Sequence, residues 1–268
     1  GGPARAMVGP WPWAGHDGRM RIIALTGLKG GVGKTSTAVN LAAVAAGEGR
    51  RTLLWDLDPQ GAATYCLDLK PKLRGGAPKL LRAGRGGLEA VARDTTIDGL
   101  RVVPADATVR EIDRILSVSG KPAKPIRRLL AGTKGDADVV LLDCPPGLSA
   151  VVEAVASVAD LLLVPVQPER LPLRALGRFT EFLDDTRSAS PTIVAPFLSR
   201  VDRRNPTHRR IEAEARGMRN FLGAAIPESS AVSRMGEEQD PVVLSAPRSL
   251  AAAEYRRLWA EVVERAGL

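Results

Sequence analysis

The stretch that most constrains this fold is Leu28–Ser36, LKGGVGKTS, because of what stands on either side of it. The apolar run before it, Met20–Thr26, predicts a buried strand, and the alanine-rich segment Thr35–Gly47 predicts a helix. Glycines in the loop let backbone N–H groups turn toward an anion, and the N-terminus of the helix adds partial positive charge. Strand, glycine-rich loop and helix in this order predict a phosphate-binding loop.

The residues of this loop predict separate contacts to a bound nucleotide. Lys34 is expected to bridge the terminal phosphates, the Thr35 hydroxyl to bind Mg²⁺, and the Ser36 hydroxyl to donate to the α-phosphate. The other predicted loop contacts are Lys29, Gly30, Gly31, Val32 and Gly33. A glycine-rich turn without a ligand is the alternative interpretation, but GGVGKTS between a strand and a helix is too specific a match to favour it.

A second lysine, Lys29, stands five residues before Lys34 in a loop otherwise built from small residues. The common motif has glycine at the position of Leu28. Lys29 could be a solvated charge at the start of the loop. Alternatively it reaches the nucleotide of a neighbouring subunit, where a second cation would offset charge that develops on the leaving phosphate. Hydrolysis would then depend on dimerisation.

Strand-like and helix-like runs alternate along the chain. The strand-like runs are Arg21–Thr26, Thr52–Asp56, Arg101–Val103, Val139–Leu142, Leu161–Val164, Ile193–Phe197 and Ala224–Ile226. The helix-like runs are Thr35–Gly47, Val109–Leu116, Ile126–Leu130, Ala150–Val158, Leu171–Arg187, Thr207–Phe221 and Leu250–Ala266. Apolar strands separated by helices predict an α/β fold: a mostly parallel, twisted sheet of about seven to eight strands with helices on both faces.

The alternation begins near Met20 and predicts a single P-loop domain over residues 20–268. Residues 1–19 are rich in glycine and proline and are expected to be a disordered leader or a cloning remnant. The segment Lys70–Gly87 is rich in Gly, Lys and Arg, and we expect it to be an exposed, mobile insertion.

Composition limits the partners and the compartment. The net charge of +8 and the pI of about 10.0 favour anionic partners such as nucleic acid, an acidic membrane or nucleotides, although a coding bias toward arginine has the same signature. Two distant cysteines, Cys66 and Cys144, argue against a disulfide framework or a structural zinc site and predict a cytoplasmic protein. No apolar run approaches the roughly 20 residues that a membrane-spanning helix needs.

Three aspartates follow predicted strands. Asp143 ends an apolar run, so its carboxylate should emerge where Mg²⁺ would bind. Asp56 and Asp58 end another run, and alternation along an extended chain sends both to the same side. A helix cap or a surface charge is the alternative for any one of them, but three such residues beside a phosphate loop favour a shared site.

Four strings carry a resemblance to a known family. They are KGGVGKTSTAVNLA (Lys29–Ala42), LLWDLDPQGAAT (Leu53–Thr64), VVLLDCPPGLS (Val139–Ser149) and LVPVQPERLPLRAL (Leu163–Leu176). Together they resemble the ParA/MinD superfamily of ATPases with a deviant Walker A motif, and within it the short, Soj-type ParA partition proteins. The resemblance is strong from Met20 to about Leu183 and weaker toward the C-terminus.

The resemblance implies ATP and Mg²⁺ as cofactors and an ATP sandwich dimer in which Lys29 crosses to the partner's nucleotide. It implies that Asp58 positions the attacking water, and that Thr35, Asp56 and Asp143 serve the metal. Gln60 and Pro145–Gly147 are the implied sensors of the γ-phosphate. The adenine contacts are expected at Pro227 and Glu228, after the Ala224–Ile226 run.

The resemblance also implies partners: a second subunit on ATP binding, non-specific double-stranded DNA and a ParB-like activator, in the cytoplasm on the nucleoid. The arginines expected to contact DNA are Arg200, Arg203, Arg204, Arg209, Arg210 and Arg234. A solvated helix face balanced by Glu212 and Glu214 is the alternative. The family commonly has IPRNVRLSEAP where this chain has IPESSAVSRMGEE, so Glu228 and Ala231 replace two of its arginines.

Two other functions stay open on the sequence. A MinD-like positioning regulator would bind membranes through an amphipathic C-terminal helix, and Ser249–Leu268 is amphipathic. It has no basic extension, however, so a helix packed on its own core is favoured and no stable membrane association is expected. The other alternative is a scaffold that binds nucleotide as a switch and turns over little.

Overall fold

The computed structural model describes residues 19–186, 192–218 and 220–268, so the predicted leader lies outside it except for Arg19. The described strands form one eight-stranded sheet in the order β3-β4-β2-β5-β1-β6-β7-β8. Every neighbouring pair is parallel except β3 and β4. The strands are β1 (Arg21–Leu25), β2 (Thr52–Asp56), β3 (Arg93–Asp94), β4 (Leu100–Val103), β5 (Val139–Asp143), β6 (Leu161–Val166), β7 (Ile193–Val201) and β8 (Ala225–Pro227).

Helices cover both faces of the sheet, which confirms the predicted α/β architecture. They are α1 (Lys34–Gly47), α2 (Ala62–Cys66), α3 (Gly76–Ala83), α4 (Gly87–Val91), α5 (Arg110–Ser117), α6 (Ala123–Ala131), α7 (Ala150–Ala156), α8 (Arg170–Thr186), α9 (Pro206–Arg216), α10 (Ser230–Ser233), α11 (Met235–Glu238), α12 (Val242–Ser245) and α13 (Leu250–Ala266). The predicted end of α8 at Arg187 lies outside the described residues. None of the described helices has the length and apolar content to cross a bilayer.

Two apolar cores lie on opposite faces of the sheet. One is built where α1, α12 and α13 pack on the sheet, and it contains Tyr255 and Trp259. The other lies under α3 to α8 and contains Trp55 and Phe179. A small third cluster joins α9 to β7. The apolar stripe of Leu250–Ala266 is therefore used within the fold, as favoured from the sequence.

Strand register brings the predicted aspartates to one edge of the sheet. β5 lies between β1 and β2, with Asp143 opposite Leu25 on one side and Asp56 on the other. The carboxyl ends of these parallel strands meet beside the loop that leads from β1 to α1. This is where open α/β sheets place their ligands.

The segment Lys70–Gly87 is not the mobile insertion that its composition predicted. It holds α3, whose Ala77 and Leu80 are buried against the second core. Gly75 and Gly84 flank α3 with φ of +82° and +69°, a backbone that favours glycine. The glycines thus form tight turns at the two ends of a short amphipathic helix. The prediction was wrong because it took the glycine content as a sign of flexibility.

Candidate nucleotide-binding site

The loop between β1 and α1 forms a cradle of backbone groups. Gly33 caps α1 with φ of +96°, and a Cβ added to it would lie 2.7 Å from Ser199 Oγ at the end of β7. Only glycine fits this conformation and this approach. Because the first N–H groups of a helix have no acceptor within it, the start of α1 offers unused donors to an anion.

The ammonium group of Lys34 lies inside this cradle. The residue is 6% exposed, and its Nζ donates to the Lys29 carbonyl at 3.1 Å. Burial lowers the pKa of Lys34, while the carboxylates of Asp143 and Asp58 act in the opposite direction. An ammonium that is desolvated but offset by two carboxylates is well placed to meet phosphate oxygens.

Asp143 is fully buried at the end of β5. Within the described residues neither carboxylate oxygen has a hydrogen bond of ordinary geometry. Burial and the carboxylate of Asp56 raise the pKa of Asp143 well above its usual range, and the Thr35 hydroxyl and Lys34 oppose this shift. An unsatisfied buried carboxylate is costly for a folded protein, and cations commonly relieve such a cost.

Asp56 lies opposite Asp143 but is satisfied by the protein. Its Oδ2 accepts hydrogen bonds from Thr64 N at 2.9 Å and Thr64 Oγ1 at 2.7 Å, and its Oδ1 accepts from Asp58 N at 3.2 Å. Burial raises the pKa of Asp56, and the Thr64 bonds oppose the shift. Thr64 was not among the predicted site residues, although it lies in the same string.

The two aspartates differ in their hydrogen bonds, since Asp56 has partners of ordinary geometry and Asp143 has none among the described residues. This difference bears on whether the site suits Mg²⁺. Thr35 and Asp143 supply the oxygen ligands that Mg²⁺ prefers, and phosphate and water complete its shell in P-loop proteins. Among the described residues no group of three or more His, Cys, Asp or Glu side chains could hold an ion by itself. The residues present therefore fit a Mg²⁺ that arrives with a nucleotide.

Asp58 borders the cavity from the other side of the loop. It is half-buried, and its Oδ1 accepts a hydrogen bond from Gln60 N at 3.0 Å. This bond orients the carboxylate and leaves its second oxygen for another partner.

A cavity of about 320 Å³ joins the loop to a second group of residues. The loop side is lined by Gly30, Gly31, Gly33, Lys34, Thr35, Ser36, Asp58 and Pro146. The other side is lined by Ser199, Arg200, Ile226, Pro227, Glu228, Ser229, Val232, Ser233 and Tyr255. The structure thus brings six of the predicted loop contacts and the predicted adenine contacts, Pro227 and Glu228, to one cavity of a size suited to a small ligand. The other two predicted loop contacts, Lys29 and Val32, line a separate groove.

Arg200 belongs to this cavity, although the sequence assigned it to DNA. It has φ of +59° at an irregularity between β7 and β8, an uncommon conformation for a residue other than glycine. Its Nη1 donates to the Gly31 carbonyl and its Nη2 to Glu228 Oε1, both at 3.1 Å. Arg200 therefore ties the phosphate loop to the segment after β8.

Tyr255 is a cavity residue that sequence reasoning missed. It lies on α13, is fully buried, and its hydroxyl has no hydrogen-bond partner of ordinary geometry within the described residues. Burial raises the pKa of Tyr255 to about 12, with the Ser36 and Thr37 hydroxyls opposing the shift. Its distance in sequence from the loop, more than 200 residues, left no local signal.

The remaining predicted DNA contacts have partners within the protein. We call Arg203, Arg204, Arg209 and Arg210 the α9 arginine cluster. Arg203 Nη2 lies 3.2 Å from Glu212 Oε1 and 3.3 Å from Glu254 Oε1. The other members bind an Asp202 carboxylate, the carbonyls of residues 203 and 204, and Glu214. Arg234 pairs with Glu238 at 3.0 Å.

Lys29 differs from all of these cations. Its side chain is exposed and has no ion pair or hydrogen bond among the described residues. It borders an apolar groove between the loop and α8 that Leu28, Pro172 and Leu176 help to line. Its role across a dimer stays a prediction.

The cradle, the strand-end aspartates and the sheet define a P-loop nucleotide-binding protein. A family model described as an AAA domain matches residues 20–193. The chain is 30% identical over 253 residues to the chromosome partitioning protein ParA of Caulobacter vibrioides, covering 92% of this chain and 95% of that one. It is 32% identical over 252 residues to the chromosome-partitioning ATPase Soj of Thermus thermophilus, covering 92% and 97%.

A solved structure supports the same assignment. The crystal structure of cobyrinic acid a,c-diamide synthase from Mycobacterium smegmatis with bound ADP and magnesium matches with a TM-score of 0.75 at 27% identity, covering 92% of this chain and 95% of that one. The chain belongs to the ParA/MinD superfamily of P-loop ATPases. This confirms the resemblance that its motifs carried.

Proposed function

We propose that the protein is a Mg²⁺-dependent ATPase of the ParA type, which dimerises on ATP and moves or positions DNA or another large cargo. The observation that carries this proposal is the contrast between two lysines of one loop. Lys34 is buried near Asp143 and Asp58 of its own subunit, whereas Lys29 is exposed and unpaired within the described residues. One cation serves its own subunit, and the other is free to serve a partner.

The chain's own groups divide the chemistry. The start of α1 and Lys34 bind and orient the phosphates. Thr35 and Asp143 would hold Mg²⁺. Asp56, which is fixed by its Thr64 bonds and lies opposite Asp143, would support the metal shell. Asp58, oriented by Gln60, places the attacking water. Bound Mg²⁺ would neutralise charge on the phosphate oxygens.

Lys29 completes the site from the second subunit. Its ammonium meets charge that develops on the leaving phosphate of the partner's ATP. Because that charge is largest during transfer, the contact couples hydrolysis to dimer formation. The relatives support the ParA-type ATPase of this proposal, since they are named for chromosome partitioning and as an ATPase.

DNA and a ParB-like activator are the proposed macromolecular partners. The net charge of +8 suits non-specific binding to a phosphate backbone. A short basic segment of the activator would stimulate turnover by adding positive charge near the nucleotide.

A mixing experiment tests the composite site. Lys29→Ala protein should bind ATP but fail to dimerise and hydrolyse it, and Lys34→Ala protein should fail to bind it. In a mixture, the Lys34→Ala subunit can lend its Lys29 to ATP on the other subunit, so part of the activity should return. Parental turnover by Lys29→Ala alone would contradict the proposal.

The alternatives give different outcomes. Turnover that duplex DNA does not change, with sedimentation on anionic vesicles, would favour a membrane-associated regulator. ATP binding and dimerisation without measurable turnover would favour a nucleotide-switch scaffold.

A further inference from the structure

The segment 70–88 carries cations that the proposed site does not use. It contains six, Lys70, Lys72, Arg74, Lys79, Arg82 and Arg85, and no acidic residue. We call these six residues the α3 basic surface, because two of them lie on α3 and the others on the segments that lead into and out of it. All six are exposed.

Within the described residues these cations form no ion pairs. None of the six is within salt-bridge distance of a carboxylate in the part of the chain that the structure describes. Four acidic residues lie on the elements packed against α3, and each already has a donor: Glu89, Asp106, Glu111 and Asp113. The positive charge of this surface is therefore not cancelled locally.

A neighbouring helix extends the same surface. α6 packs against α3, and its sequence AKPIRRLLA contains three cations and no acid. Arg128 of α6 lies against the turn that ends α3, since a Cβ added to Gly84 would meet its Nη2 at 3.2 Å. The buried residues Leu80 and Leu129 hold the two helices on one core. The cations are thus presented by a packed framework.

We infer that the α3 basic surface is the duplex-DNA-binding face of this protein, through contacts to the phosphate backbone. This inference rests on the DNA-binding part of the proposed function and moves it from the α9 arginine cluster to the other end of the sheet. α3 covers a core that includes β2 and β4, whereas α9 packs on β7.

The chemistry of the surface selects the partner. Lysine and arginine side chains without acidic neighbours suit phosphates of any sequence. A membrane-binding surface would combine its cations with exposed apolar side chains, and single-stranded nucleic acid is held by exposed aromatic rings. In the described residues the large exposed apolar side chains all lie outside 70–93 and 121–132. A duplex is therefore favoured over a lipid surface or a single strand.

The test compares two variants of equal charge change. One is Lys79→Glu/Arg82→Glu/Arg85→Glu in the α3 basic surface, and the matched control is Arg204→Glu/Arg209→Glu/Arg210→Glu in the α9 arginine cluster. Binding to a labelled random-sequence duplex is measured by fluorescence anisotropy over a series of salt concentrations, with Mg²⁺ and a non-hydrolysable ATP analogue.

The α3 variant should lose about tenfold or more in affinity, and its slope of log K against log salt should fall by about 0.9 for each phosphate that the variant no longer neutralises. The control should change affinity by less than about twofold. A Lys79→Gln/Arg82→Gln/Arg85→Gln variant with an unchanged unfolding midpoint and unchanged ATP affinity, yet weaker DNA binding, would show that misfolding is not the cause.

Three outcomes would overturn the inference. Parental DNA binding by the α3 variant would leave the proposed function intact and remove only this surface. A larger loss of duplex affinity in the control variant would assign DNA binding to the α9 arginine cluster. If the parent binds anionic phosphatidylglycerol vesicles through these residues and binds no duplex, the DNA part of the proposed function fails as well.

Discussion

The regions that hold the α9 arginine cluster and the α3 basic surface have equal numbers of cations but differ in what those cations contact. Residues 200–216 hold six cations and three acids, and residues 70–88 hold six cations and none. In the first region the arginines bind carboxylates or carbonyl oxygens of the protein. In the second the cations are exposed and form no ion pair with any residue that the structure describes. Positive charge in a sequence therefore says little about binding until its internal partners are known.

The first prediction checks that nucleotide binding is separate from both regions. Lys34→Ala removes the buried ammonium at the phosphates, and ATP affinity should fall by more than about a hundredfold, as expected for loss of several charge-assisted hydrogen bonds. Isothermal titration calorimetry measures it. Parental ATP affinity in this variant would mean that the loop does not hold the phosphates.

The second prediction concerns Arg203, whose partners Glu212 and Glu254 have side chains only 8% and 10% exposed. Arg203→Ala leaves these carboxylates with fewer donors and should lower the free energy of unfolding by about 2 kcal/mol. Arg204→Ala, at an arginine that is 93% exposed, should change it by less than about 0.5 kcal/mol. Urea denaturation compares the two, and equal losses would show that Arg203 is no more structural than its neighbour.

The third prediction separates Arg200 from the α9 arginine cluster. Arg200→Ala breaks the connection between Gly31 and Glu228 and should weaken ATP binding by about tenfold, or about 1.4 kcal/mol. Binding of inorganic tripolyphosphate should change much less, because it does not use the segment after β8. If ATP affinity stays unchanged while duplex affinity falls, Arg200 serves DNA as its sequence suggested.

The smallest expected effect is that of a single surface cation. Arg82→Ala should weaken duplex binding severalfold at low salt, lower the salt slope by about 0.9, and leave stability within about 0.5 kcal/mol. Arg210→Ala is the matched control, with its partner Glu214 at 3.7 Å. Identical salt slopes for the two variants would remove the distinction between the regions.

Structural features that depend on neighbouring residues in the sequence were predicted well. The β1 strand, the loop and α1 follow one another within 27 residues, and their order alone indicated the cradle. Apolar periodicity likewise predicted the parallel strands and seven of the thirteen described helices. Asp56, Asp58 and Asp143 were placed together because parallel strands end at a common edge.

Contacts between distant residues were beyond such reasoning. Arg203 meets Glu254 across 51 residues, and Tyr255 meets the loop only because α13 packs on α1. The direction of Arg200 depends on a left-handed backbone at an irregular strand end, which no residue type signals. α3 was missed because the glycines that flank it were interpreted as a sign of flexibility, whereas they form the turns at its two ends.

If Asp143 binds Mg²⁺ together with nucleotide as proposed, its carboxylate would link the stability of the chain to the supply of that ligand. A buried polar group without a partner lowers the stability of the native state by about 1–3 kcal/mol. A cation that binds only the folded form restores this and adds a gain that rises with the logarithm of its concentration. A protease that attacks transiently unfolded molecules would then degrade ligand-free protein first, and the cellular level of the protein would follow the supply of its ligand.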